Sequence, residues 1–405
     1  MSELSAPRAA APASRWPPQD GRRPQSHEIA ATVIVDPAQL DSLRGSWDSL
    51  AVELGAPFGA PSWAEAWWRH LAPRGARLAV VAVHAGEQLV GLAPFYSSRR
   101  LGVIELRLLS GGFASRLGVL ARPGHEREAA AAIVRALTDA GLVPDVFRLE
   151  AIDAASPWPG WLSASWPDGR GYHLQEISEL SAPLLHLPQG SFDEWFAERS
   201  AHFRRNMRRD RRQIEKKGAR FRRADRDSLE HDLAAFGRLH AARREGRGSS
   251  HAATPAAMAA LREAGEKLID SSRFRLWMID GPDGDPISAH LFVEAGGTVA
   301  FWNTGFDERW GKHSPGAVGL LAAIEDAFER GDRLIDMGGG EASYKRRLAD
   351  DDRPVAWRTS YRLGARYPLA RLRRLPEQVA RRGSSKLRER PVAHRVMRFG
   401  QLLKH

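Results

Sequence analysis

Two halves of this chain repeat one order of predicted elements, and that repetition constrains the fold more than any single motif. In the first half a Trp-rich helix (Ser62–His70) leads to a strand (Leu78–Val83), a turn at Ala85-Gly86-Glu87 and a strand (Leu89–Tyr96). In the second half a helix (Pro255–Ile269) leads to a strand (Phe274–Ile279), a turn at Gly281–Asp285 and a strand (Ile287–Val293). Each hairpin is followed by a further strand, a loop, an Ala-rich helix and a strand. These last pairs are Ala129–Ala140 then Val146–Ile152, and Ala317–Glu329 then Arg333–Met337. Strands joined by short Gly/Asp turns, with helices between strands, make layered α/β (α+β) units. The expectation is two tandem domains, 29–156 and 189–365, each a mixed, mainly antiparallel sheet flanked by helices. A Pro-, Ser-, Gly- and Trp-rich linker is expected at 157–188. A disordered tail at 1–28 and a basic tail at 366–405 complete the division.

The chain has no cysteine, which excludes disulfides, zinc–thiolate sites and cysteine nucleophiles. Its 14 histidines are scattered without metal-ligand spacing, so no metal is expected. Met1–His27 is Ala, Pro, Ser and Arg without an apolar core, and no window approaches 18 consecutive apolar residues. A cytoplasmic protein is expected. The net charge of +11 is local: Arg204–Arg223 carries 11 basic and 2 acidic residues, and Arg366–His405 carries 12 and 2. The rest of the chain is therefore net acidic. Pieces of Leu369–His405 mix Leu, Val, Met and Phe with arginine, either as a disordered basic tail or as a segment able to lie on an anionic inner-membrane surface.

The richest stretch for chemistry is Thr298–Lys345. A strand (Thr298–Gly305) and a polar loop precede a helix opened by Ser314-Pro315-Gly316, with serine read as the N-cap and proline at the first helical position. The unpaired amides of such a helix start are the physics of a phosphate site. Lys312 and His313 add charge there, and Gly316 and Gly319 keep side chains clear of an approaching pyrophosphate. The corresponding first-half helix opens on Glu126 and Glu128, which would repel one. The turn from Asp336 to Lys345 then sets Asp336, Glu341, Tyr344 and Lys345 beside three glycines. Further upstream, Phe203, Met207 and Ile214 form one apolar stripe of a helix whose other faces are arginine. That helix is either a solvated surface helix or a groove for an anionic acceptor, with Arg204, Arg205, Asn206 and Arg208 as contacts.

From about Phe203 to Tyr361 the chain resembles the GNAT-superfamily acetyltransferase domain of CelD-like cellulose-biosynthesis proteins, relatives of the Fem-type aminoacyltransferases. The resemblance rests on an ordered set of features. These are the basic helix FRRNMRRDRRQIEKKG, the strand end Gly305-Phe306-Asp307, the start Ser314–Gly316, the turn Asp336–Gly340 and the closing pair Tyr344-Lys345. It implies an acyltransferase in which acetyl-CoA or another acyl-CoA is co-substrate, with no tightly bound cofactor. Pantetheine would enter where two strands splay apart, with the pyrophosphate on Lys312–Gly316 and Gly319. Tyr344 would protonate the leaving thiolate, Lys345 would face the oxyanion or a phosphate, and Asp336 or Glu341 would be the base. Asn303 would contact the acceptor, a small molecule or saccharide of exopolysaccharide or envelope assembly. The sequence lacks the Q/R-x-x-G-x-G/A loop of ordinary GNAT enzymes, which leaves aminoacyl-tRNA open as the alternative donor. A degenerate GNAT fold serving as a polyanion-binding scaffold is the non-enzymatic alternative.

Overall fold

A computed structural model describes residues 28–166, 171–244, 251–340 and 343–372. The first half contains β1 (Ile29–Ile34), α1 (Leu40–Glu53), α2 (Pro61–Leu71), β2 (Arg77–Ala85), β3 (Gln88–Arg100), β4 (Val103–Leu108) and β5 (Leu120–Ala121). It continues with α3 (Glu126–Asp139), β6 (Val146–Asp153), α4 (Trp158–Ala164) and β7 (Tyr172–Leu180). The second half holds β8 (Pro183–His186), α5 (Phe192–Ala197), α6 (Ala201–Lys216), β9 (Arg220–Arg223), α7 (Leu229–Arg244) and α8 (Pro255–Leu268). Then come β10 (Phe274–Asp280), β11 (Pro286–Ala295), β12 (Thr298–Phe306), α9 (Pro315–Glu329), β13 (Leu334–Asp336), α10 (Ser343–Leu348), β14 (Asp351–Asp352) and β15 (Val355–Arg362). The predicted hairpins β2–β3 and β10–β11 both form, and each is antiparallel.

The strands make two sheets, ordered β1-β2-β3-β4-β6-β15-β7 and β14-β8-β13-β12-β11-β10-β9, with β5 paired beside β3. Each is mixed: one parallel pairing, β4–β6 or β12–β13, sits among antiparallel ones. Two domains of like build result, each a mixed sheet flanked by helices. Each sheet buries both faces, which is why its central strands read as near-continuous apolar runs. In the first domain α3 covers Val81, Phe95 and Phe147, while α1 and α2 cover Val80, Leu92 and Tyr96 with Trp47 and Trp67. In the second, α7 and α8 cover Phe274 and Leu276, while α5, α6 and α9 cover Phe292 and Ile335.

The segment expected as a linker is instead structural. Residues 157–188 supply α4, the edge strand β7 of the first sheet and β8 of the second. Its counterpart is β15, expected with the second domain but lying between β6 and β7 of the first sheet. Val355 pairs with Leu180, and Asp352 with Pro183, so 172–186 and 351–362 form one antiparallel ribbon that passes from one sheet to the other. The passage is fastened by Asp352, whose Oδ1 accepts the Ala182 amide at 2.8 Å. Pairing partners some 170 residues apart leave no local pattern, so composition alone made the stretch look like a connection. Residues 367–372, at the start of the expected basic tail, are helical. Ala370 there is buried, and Tyr367 stacks edge-on against Tyr361. The rest of that tail and residues 1–27 lie outside the described residues.

The two domains also meet along α2 and α8. The Glu65 carboxylate, 4% exposed, accepts from Arg44 at 3.0 Å, Arg69 at 3.2 Å and Lys267 at 3.3 Å, so one buried anion is answered by cations from both domains. Gly296, at the β11–β12 turn, has φ +55°, and a Cβ there would stand 2.0 Å from the Val52 carbonyl oxygen. Only glycine permits that approach. No helix among the described residues is long and apolar enough to cross a membrane.

Candidate functional site

β12 and β13 run parallel only from Thr298↔Leu334 to Ala300↔Asp336. Beyond that point β12 continues to Phe306, while the other chain turns away through Gly338 and Gly340, both at positive φ. Opposite this point β11 shifts register between Leu291 and Phe292, a bulge that re-aims the side chains of Phe301–Asn303. The parting opens a cleft of about 280 Å³. Its walls come from three places: Phe301, Asn303 and Lys345 of the second domain, Leu180 and Val355 of the ribbon, and Ala114 and Ser115 of the first domain. A Cβ on Gly338 would lie 3.1 Å from the Phe301 carbonyl and 3.4 Å from Ser115 Cβ, so glycine lets the two domains close here.

Lys345 lies at the base of the cleft and is 7% exposed. Its Nζ donates to the Met337 carbonyl at 2.6 Å, stands 3.4 Å from that of Gly338, and lies 5.1 Å over the Phe301 ring. Burial, aided by the Arg243 charge, pushes the ammonium down to about 8, with Asp336 acting against them. Lys345 is thus a cation near neutrality whose proton is unusually easily lost. Asn303 spends its Oδ1 on the Thr304 amide at 3.1 Å and presents the rest of its amide to the cleft.

Asp336, expected as a candidate base, is already engaged. Arg116 Nε donates to its Oδ2 at 2.6 Å, and the Gly338 amide donates to its Oδ1 at 2.8 Å. Both of its oxygens are thus taken, one by the guanidinium and one by the turn's own amide, so its work is to hold the turn. Glu341 and the side chain of Tyr344 lie outside the described residues.

The start of α9 departs from the expected cap. Ser314 has φ +50° and ψ +46°, and its side chain makes no capping bond. It instead ends the preceding 3₁₀ turn, donating its amide to Gly311 at 3.0 Å, and its carbonyl receives Ala317 and Val318. Pro315 sits at the first helical position as expected. Among the described residues the Gly316 amide has no partner, so one open donor remains rather than a full set. Gly319 faces inward: a Cβ would meet His290 Nε2 at 2.2 Å. Its role is to admit that imidazole and not to clear a pyrophosphate. His290 contacts Ser288 Oγ at 2.9 Å and Thr304 Oγ1 at 3.1 Å and bonds the Pro315 backbone. Burial holds it down at about 3, so it is a neutral tie between β11, β12 and the helix start.

Lys312 is exposed at this helix start, whereas His313 is buried with both ring nitrogens unpartnered. Burial and the charges of Lys312 and Lys217 keep it below the usual imidazole range. Asp210 and Arg209 of α6 act on the same ring, which places the basic helix beside the α9 start. None of Arg204, Arg205, Asn206 and Arg208 lines the cleft. Arg208 stacks over Phe196 at 5.3 Å, and Asn206 contacts His202 at 2.9 Å. The expected buried stripe holds for Met207 and Ile214, with Phe203 half-buried.

The sequence reading passed over Phe113, Ser115, Arg116 and Trp302. Trp302 Nε1 donates to the Phe113 carbonyl at 2.5 Å, and both rings join Trp63 in an aromatic cluster between the domains. One signal was available: G-G-x-A-S occurs twice, at 111–115 and 339–343, and the structure brings Ser115 against Gly338.

The first domain has a counterpart of this cleft, and it is filled. Beyond the β4–β6 pairing, Glu150 accepts from Arg107 at 2.5 Å and Arg148 at 2.6 Å, and Arg148 also donates to Glu105 at 3.1 Å. At the start of α3 the Gly124 amide is taken by Glu126 at 2.8 Å. Among the described residues no group of three or more His, Asp and Glu is arranged to hold a metal ion.

Residues 201–346 match the family described as an acetyltransferase (GNAT) domain. No curated protein matches the sequence. Among solved structures, FemX superposes with a TM-score of 0.58 at 12% identity, covering 81% of this chain and 98% of FemX. L-PGS from Bacillus licheniformis gives 0.47 at 11% identity, covering 84% of this chain and 96% of its own. A tandem GNAT protein from the clavulanic acid biosynthesis pathway gives 0.45 at 15%, covering 84% and 100%. Residues 201–346 are thus similar to a GNAT acetyltransferase domain, and the chain as a whole shares its fold with FemX.

Proposed function

We propose that the second domain is an acyltransferase moving an acyl group, acetyl first among them, from acyl-CoA to an amine or hydroxyl. The observation that carries this is Lys345, a buried cation at the base of the cleft where β12 and β13 part. An ammonium there faces the oxygen that gains charge when an acceptor attacks a thioester carbonyl. With no cysteine in the chain, direct attack without a cysteinyl intermediate is the reaction in view. The acceptor atom forms the new bond to the carbonyl carbon, the C–S bond breaks, and the thiolate leaves to take up a proton. Donor phosphates would meet the open Gly316 amide, Lys312 and the edge of α6 at the α9 start. A small-molecule or saccharide acceptor of exopolysaccharide or envelope assembly fits the CelD-like resemblance. Calorimetry with acetyl-CoA tests the donor site: Gly316→Glu puts a carboxylate at the open amide and should abolish binding. Undiminished affinity would overturn the assignment.

The exposed arginines of α6 favour one second reading, transfer from aminoacyl-tRNA. Arg205, Arg208 and Arg212 have no acidic partner among the described residues and lie on solvent. Replacing the three by Gln should leave acetyl-CoA binding intact. If that variant instead loses tRNA binding, and neither protein binds acetyl-CoA, the tRNA reading takes over.

A further inference from the structure

We propose that Arg116, in the first domain, is a positioning residue for the second domain's cleft and acts through Asp336 on Lys345. The guanidinium bridges the domains. Its Nε reaches Asp336 Oδ2 at 2.6 Å, and its Nη2 donates to the Arg353 carbonyl at 2.7 Å. The other Asp336 oxygen holds the Gly338 amide, and the carbonyls of Met337 and Gly338 receive Lys345. Arg353 lies two residues before Val355, which lines the same cleft. One side chain therefore ties together the loop of the first domain, the end of β13 and the point where the ribbon changes sheets. No other side chain among the described residues bonds to the Asp336 carboxylate.

The charges around Lys345 give this arrangement a signature. Asp336 faces it from β13, Arg243 from α7 and the Phe301 ring from β12, while Arg346 and Arg347 of its own helix are exposed. Behind Asp336 stands Arg116, with Asp153 3.7 Å from its Nη1. Asp336 is 3% exposed, so little water screens it. Remove Arg116, and the Asp336 charge falls uncompensated on Lys345, keeping the ammonium protonated to higher pH. Remove Asp336, and Arg116 is left as an uncompensated neighbouring cation, so the proton leaves at lower pH. A residue that only filled space would not move the two in opposite directions.

The activity part of this inference rests on the acyl-transfer reading above; the titration part does not. The chain has seven lysines, so the Lys345 resonance can be assigned in the full-length protein with ¹³Cε-labelled lysine and a Lys345→Arg reference. The expected result is a protonation midpoint that rises in Arg116→Gln and falls in Asp336→Asn. The double variant removes both the Asp336 anion and the Arg116 cation from beside Lys345 and should fall between them. Arg116→Lys keeps the charge but cannot reach both Asp336 and the Arg353 carbonyl. Its midpoint should stay near wild type, while kcat with saturating acetyl-CoA falls on the order of 10- to 100-fold as the turn loosens. Midpoints that move together, or not at all, overturn the proposal. So does an Arg116→Lys protein with undiminished kcat. Opposite midpoint shifts in a protein that transfers no acetyl group would uphold the positioning role and refute the acyl-CoA reading alone.

Discussion

Lys345→Ala is expected to lower kcat by about 10²–10³ while leaving acetyl-CoA affinity nearly unchanged. That range is the usual cost of removing one donor aimed at a developing oxyanion. Lys345 Nζ is 2.6 Å from the Met337 carbonyl, at the point where β12 and β13 part, whereas the α9 start lies beyond the far end of β12. On the acyl-CoA reading, a group at the first position would act on the reacting carbonyl, and a group at the second on phosphates. Steady-state kinetics under saturating donor separates the two: a rise in KM with kcat intact would make Lys345 a binding residue instead.

The same residue fixes the pH dependence. With its ammonium at about 8, a rate that needs the charge should fall as pH rises through that value. A lysine acting as base would give the reverse, a rate appearing above pH 8. Lys345→Arg keeps a cation at every accessible pH, so whatever activity it retains should lose the alkaline limb. Between about 8 and the ordinary lysine value the native state binds fewer protons than the unfolded chain, so this group's contribution rises with pH across that window.

Much of the fold was readable because its signals are local. The alternating strands around Ala85-Gly86-Glu87 and Gly281–Asp285 announce their hairpins, and Pro315 announces α9. What escaped is what depends on distant partners. Nothing near Leu180 or Val355 shows that they pair across some 175 residues of sequence, so the ribbon passed for a linker and a late strand was given to the wrong sheet. The site divides in the same way. Lys345 and Asn303, both singled out in the sequence, line the cleft where β12 and β13 part. Asp336 looked like a base because residue type alone cannot show that Arg116 is waiting for it from another domain. Gly319 looked like phosphate clearance because sequence cannot tell which way a helical glycine faces, and here it faces His290.

Glu150→Ala should be the most damaging single change in the first domain, destabilising it by roughly 3–5 kcal/mol. The carboxylate is 2% exposed and answers two guanidiniums at once, Arg107 at 2.5 Å and Arg148 at 2.6 Å. Arg148 is itself 4% exposed, so little water can replace the lost carboxylate. Burial pushes the Tyr96 phenol up to about 12, so that ring, 5.7 Å from Arg107, cannot take over as an anion. Truncation would take from the buried Arg148 and the half-buried Arg107 the carboxylate that both now answer. Calorimetric melting should show the first domain's transition falling by roughly 10 °C or more. Glu150→Gln, which keeps the shape and one acceptor, should fall less. The two variants together test why this cleft is closed. If the ion network is what fills it, loss of Glu150 weakens the domain without creating acetyl-CoA affinity there, because Glu126 still occupies the Gly124 amide at the start of α3. A Glu150→Ala protein as stable as the parent would show that the network is incidental, and that the difference between the two clefts lies in the helix starts alone.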